Sequence, residues 1–223
     1  VGLCDMAFPD LGCRPTGDID LLVHRRDVPG AVRLLREMDY APMGPFPELD
    51  RFHEATFSHP SNGSRMPPVD LHWGLCAERF SAHARFDFDL GEDDVWRDAD
   101  LKRHRLSPEI SLVHLILHAF TNSFSMLSDF VDVLYVYRTV KSKVDWGKWV
   151  EQVRRFRMGA VAAFTLGRVA EWWKIEYPEA LDRMVEEDLP VACRLGLLRK
   201  APWRGDIGGW KERLAMPLFF QPP

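Results

Sequence analysis

Two textures of hydrophobic patterning divide the chain near residue 105. Before that point short apolar runs alternate with turn residues; beyond it long apolar-rich stretches at helical spacing follow one another. Ile19-Asp20-Leu21-Leu22-Val23 reads as a buried strand entered through the turn sequence Pro15-Thr16-Gly17. Asp27 then reads as an N-cap, with Pro29 in the first turn and Val28, Val32, Leu34, Leu35 and Met38 at near-helical spacing, which predicts a helix ending near Tyr40. Three prolines and a glycine make 41–49 a loop, and further strands are expected over 51–58, 66–73 and 84–90. Ser61-Asn62-Gly63-Ser64 supplies the turn of a hairpin between the first two of these.

In the second half Ser107, with Glu109 in the first turn, opens a helix through His118 and Phe120. Ser128 or Asp129 opens the next, through Tyr137, and Asp145 caps one over 146–156. Another runs over 159–175, and Pro178 and Pro190 stand where two shorter helices begin. The expectation is an α+β protein: a mixed β-sheet core flanked by helices over 1–105, then a C-terminal helical domain over 106–223.

Composition narrows the partners. At 46% hydrophobic and 28% charged the chain lies far from the disordered class, so folded structure is expected nearly throughout. A formal charge of -4 supplies no positive field for a nucleic-acid backbone, and a small molecule, peptide or protein is the better partner. Cys4, Cys13, Cys76 and Cys193 form no C-x-x-C pair, so neither a zinc framework nor a disulfide scaffold is indicated. The apolar stretches are too short to span a bilayer and no export signal opens the sequence, which makes the cytoplasm the expected compartment. The chain opens on Val1 and reaches its strongest motif by Gly17, as a fragment of a longer product would.

That motif is Gly17-Asp18-Ile19-Asp20. Strand alternation puts Asp18 and Asp20 on one face, roughly 7 Å apart at their Cα atoms. Two carboxylates at that separation repel by about 2 kcal/mol at an effective dielectric near 20, so the pair favours a cation between them. In Val69-Asp70-Leu71-His72-Trp73 the acid and the histidine share one face and the apolar residues the other. If this strand lies beside the first, Asp70 completes a triad suited to Mg²⁺ or Mn²⁺ and to a triphosphate, with Asp70 best placed as general base.

These residues, the helix led by Asp27, Leu106-Ser107-Pro108-Glu109 with His114 and His118, and Asp129, Asp132 and Asp145-Trp146 resemble the uncharacterised nucleotidyltransferase family of the DNA polymerase β-like superfamily. The resemblance runs to about Ile175. It implies that Asp18, Asp20 and Asp70 hold the metals and that an NTP, with ATP the expected one, donates its nucleotide to a small-molecule or peptide or protein acceptor. It also implies that Gly2 ends the element holding the triphosphate, although Leu3 follows where that superfamily usually has Ser. Arg14, Gly17 and His72 complete the expected nucleotide-binding set.

Each residue also has a plainer reading. A lone D-x-D is more often a solvated strand edge, Asp70 could pair with an arginine, His72 could simply pack beside Trp73, and Arg14 could close a surface ion pair. His114 and His118 stand one helical turn apart, a spacing that can serve a metal-dependent hydrolase, but core or interface histidines are commoner. The basic runs 102–105 and 154–157 are either phosphate contacts or solvated faces, and Trp149, Phe164, Trp172 and Trp173 fit helix packing. The rival function is a binding or regulatory protein that keeps the fold without catalysis.

Overall fold

The computed structural model describes residues 7–8, 14, 16–49, 52–61, 66–75, 94–98, 103–122, 124–176 and 178–188. These fall into two compact units, one comprising the described residues up to 75 and the other those from 94 onward. The expected strand over 84–90 and the helix start at Pro190 lie outside the described residues.

The first unit is built on a four-stranded sheet in the order β1-β4-β3-β2, with β1 Ile19–Leu22, β2 Ala41–Pro42, β3 Glu54–Ser58 and β4 Val69–His72. β1 runs parallel to β4, and β4 and β2 each run antiparallel to β3. Adjacent positions in register point to the same side. One face therefore gathers Ile19, Val69, Leu71, Ala55 and Phe57, while the other gathers Asp20, Asp70, His72, Thr56 and Glu54. The apolar face closes against α1 (Val28–Glu37) in a core of Val28, Leu35, Tyr40, Ala55, Phe57, Val69 and Leu71, with Phe57 and Leu71 fully excluded from solvent. Trp73, at the end of β4, packs on this core while its indole N–H donates to the carbonyls of Leu49 and Phe52 at 3.1 and 2.7 Å.

α1 departs from the sequence expectation at both ends. Residues Arg25–Asp27 form a 3₁₀ turn, so Asp27 already has near-helical backbone angles and its side chain caps nothing. The helix stops at Glu37, where Asp39 takes a left-handed φ of 63°; the Tyr40 N–H bonds the Leu35 carbonyl and the Asp39 N–H that of Arg36, as in a Schellman end. Leu34 and Met38, read as part of the apolar face, are exposed because the buried stripe follows Val28 and Leu35. The loop expected over 41–49 begins with the short strand β2, which Pro42 can join because it sits at the sheet edge.

The second unit opens with a hairpin of β5 Val95–Asp98 and β6 Arg103–Leu106 that the charge-rich sequence did not announce. Its helices are α2 Pro108–Thr121, α3 Leu127–Val140, α4 Trp146–Arg155, α5 Gly159–Trp173 and α6 Glu179–Asp188. α2 touches α3, α4, α5 and β6, and its apolar residues are buried nearly all round, as that position requires. Ser107 and Asp145 cap α2 and α4 as expected, their side chains accepting from the N–H of Ile110 and from those of Gly147 and Lys148. α3 starts one residue ahead of Ser128, from Met126, without a side-chain cap.

Candidate active site

The polar face of the sheet collects the acids. Asp20 and Asp70 face each other across the parallel β1–β4 pair, and Asp18 sits just before β1. The Asp18 carboxyl is held above the ordinary carboxylate range, first by burial and then by the charges of Asp20 and Asp70; a backbone hydrogen bond and the Arg14 guanidinium pull the other way. The charges of Asp20, Asp70 and Arg14 therefore all reach Asp18. The three acids are not packed into a single knot of oxygens within 4.8 Å, a spacing reached among the described residues only by His53, Glu54 and His72. The Oδ1 atom of Asp70 is buried and accepts no hydrogen bond. A buried carboxylate oxygen without a donor, flanked by two further acids, fits a divalent cation with a preference for oxygen ligands.

His72 occupies the centre of a polar relay. Its Nε2 lies 3.1 Å from Asp20 Oδ1 and its Nδ1 3.2 Å from Glu54 Oε2, while His53 Nε2 lies 3.3 Å from the same Glu54 oxygen. Burial draws the His72 pKa down, but the hydrogen bond to Asp20 and the charges of Glu54, Asp20 and Asp70 outweigh it and leave the ring above the usual imidazole range. Glu54 is held below its ordinary value chiefly by the hydrogen bond from His53, against burial and with further help from both histidine charges. Glu54 and His53 were not foreseen. The available signal was alternation over 51–58, which sets Glu54 on the face opposite Ala55 and Phe57; the register Glu54↔His72 then makes the contact.

The other expected residues are placed as follows. Gly17 has open space where a side chain would project, and Gly2 lies outside the described residues. His114 and His118 have ring centroids 6.4 Å apart on α2, with His118 Nε2 3.9 Å from Asp129 Oδ1 and 3.2 Å from the Asn122 amide nitrogen. Among the described residues these two histidines belong to no three-donor group close enough for a metal. Arg154 donates to Glu187 and Asp188 at 2.8 and 2.6 Å, and Arg155 stands 3.9 Å from Asp94, so both are engaged within the second unit. Trp149 is fully buried in that unit, as packing predicted. No helix among the described residues is long and apolar enough to cross a membrane.

A mixed four-stranded sheet with Asp20 and Asp70 in register on neighbouring strands is consistent with a nucleotidyltransferase fold. The model of the uncharacterised nucleotidyltransferase family matches residues 1–174, and the chain belongs to that family. Nucleotidyl transfer is the general kind of activity this membership supports. No curated protein and no solved structure matches the chain.

Proposed function

We propose that this protein is a metal-dependent enzyme that transfers a nucleoside monophosphate from an NTP, ATP being the expected donor, to a hydroxyl of a small-molecule or peptide or protein acceptor, releasing pyrophosphate. The observation that supports the reading is the register that sets Asp20 opposite Asp70 on the neighbouring strands β1 and β4, with Asp18 just ahead of β1 and within the field of both charges. Asp18, Asp20 and Asp70 are the residues suited to hold Mg²⁺ or Mn²⁺, which when bound neutralises triphosphate charge and stabilises the leaving pyrophosphate. Asp70 takes the proton of the acceptor hydroxyl as its oxygen bonds to the α-phosphorus and the bond to pyrophosphate breaks. Arg14 draws the phosphates toward the acids, Gly17 leaves room for them, and Gly2 ends the segment that holds them. His72 fixes Asp20 by its hydrogen bond at 3.1 Å.

Incubating the protein with each NTP and either metal tests this. Metal-dependent pyrophosphate release that disappears in Asp18→Ala is expected; equal release from both proteins, or none with any donor or acceptor tried, defeats the reading. Leu3 in place of the usual Ser after Gly2 favours a second reading, a binding protein that keeps the nucleotide without transferring it. Metal-dependent NTP binding without turnover is its signature.

A further inference from the structure

We infer that His53, Glu54 and His72 form a transition-metal site beside the three acids, one that takes Zn²⁺ or Co²⁺ in preference to Mg²⁺. One donor atom from each residue lies within 4.8 Å of the other two. The Glu54 oxygen is 3.3 Å from His53 Nε2 and 3.2 Å from His72 Nδ1. Metal–ligand bonds of about 2.0–2.1 Å in a tetrahedron place neighbouring donors roughly 3.3 Å apart, so these two contacts already have the spacing of a coordination edge. Two imidazole nitrogens with one carboxylate oxygen suit borderline ions, whereas Mg²⁺ favours a shell of oxygens.

Hydrogen bonding alone accounts for either short contact. Two features of the surroundings extend it to a ligand site. His72 presents its other nitrogen to Asp20 Oδ1 at 3.1 Å, the outer carboxylate that commonly fixes the tautomer and orientation of a metal-bound histidine. His53 precedes β3 at a bend, where the Trp73 N–H donates to its carbonyl at 2.8 Å, and a Cβ on Gly74 would come within 3.2 Å of His53 Cβ. Glycine at 74 thus leaves His53 the room to turn onto the polar side. Glu54 is half exposed and His72 about one-fifth exposed, which leaves an open side for water or a substrate oxygen. His72 links this site to Asp20, so metal bound here also orients an acid of the proposed nucleotide centre. The donors His53, Glu54 and His72 are not the three acids, and the inference goes beyond the nucleotidyl-transfer reading.

The test is a Co²⁺ titration of the full, chelator-treated chain, followed by the visible absorption of the bound ion. Wild type is expected to bind one Co²⁺ that excess Mg²⁺ does not displace. Glu54→Gln, nearly isosteric, and His53→Ala should each weaken it by at least about tenfold, with folding checked by circular dichroism. Asp18→Asn should retain Co²⁺ while losing Mg²⁺-dependent NTP binding, so failure of the nucleotide reading and failure of this one are separate results. Absence of Co²⁺ binding, unchanged affinity in both Glu54→Gln and His53→Ala, or equal loss in Asp18→Asn overturns the inference.

Discussion

Among the described residues histidine and carboxylate meet in two places, and the two clusters are balanced differently. Between α2 and α3, His118, Asn122 and Asp129 answer one another: the Asn122 amide donates to Asp129 Oδ2 at 3.1 Å, His118 lies 3.9 Å from Oδ1, and Asp129 is buried. On the sheet face four carboxylates, Asp18, Asp20, Glu54 and Asp70, share two histidines and the field of Arg14, and one Asp70 oxygen has no donor at all. Burying a carboxylate is tolerable where donors are supplied with it. The helix pair supplies them and is a structural joint; on the sheet face the buried Oδ1 of Asp70 lacks one, and an incoming cation would satisfy it.

The largest effect should separate the clusters by activity. Asp20→Asn is expected to lower pyrophosphate release roughly a hundred- to a thousandfold, the scale of losing one group that stabilises transition-state charge. His118→Ala should leave the rate unchanged. Equal losses would erase the distinction. Next in size is a stability effect from the sheet's other face, where Leu71 is fully buried. Leu71→Ala should cost about 3 kcal/mol in urea unfolding, and a much smaller cost would mean that the apolar face is not the core that positions Asp70 and His72.

Asp129→Ala should then destabilise the chain by about 1–2 kcal/mol, since it strips a buried acceptor from Asn122 and His118. Asp18→Asn should act in the opposite direction in metal-free protein and raise the melting temperature, because it removes a charge that burial, and then Asp20 and Asp70, oppose. If both substitutions destabilise, the sheet face is as well satisfied as the helix joint. The smallest effect is in pH dependence. Asp18 has a raised carboxyl, so its ionised form disfavours the fold and its contribution improves as pH falls through the folded value. Glu54 is lowered, so its contribution is present above its ordinary value and is lost as pH falls through the folded one. Melting curves of metal-free protein between about pH 7 and pH 3 should show Asp18→Asn losing the first trend and Glu54→Gln the second.

What could be read from the sequence follows from the range over which each feature is determined. β1, β4 and the caps of α2 and α4 are local: alternation in Val69-Asp70-Leu71-His72-Trp73 and the side chains of Ser107 and Asp145 specify them within a few residues. β2 was hidden because Pro42 and its neighbours carry loop chemistry, and only pairing with Ser58 and Phe57 makes them a strand. The β5–β6 hairpin was hidden because its charges follow neither period of two nor 3.6; its strands exist through the Val95↔Leu106 to Asp98↔Arg103 register. The place of Asp20 and Asp70 on one face was legible from alternation in the two acidic motifs, and the parallel register sets them side by side. The place of Glu54 and His53 was not, because it depends on which residue of an antiparallel neighbour falls opposite His72. Asp27 misled for the opposite reason: its type suits a cap, but the 3₁₀ turn before α1 turns the side chain away from that role.

The most direct test of the acid centre is anomalous diffraction at the manganese edge from crystals soaked with Mn²⁺ and a non-hydrolysable NTP. Manganese is expected between the carboxylates of Asp18, Asp20 and Asp70, with triphosphate oxygens completing its shell. Nucleotide bound elsewhere, or a soaked crystal with no manganese against these three side chains, would contradict this placement.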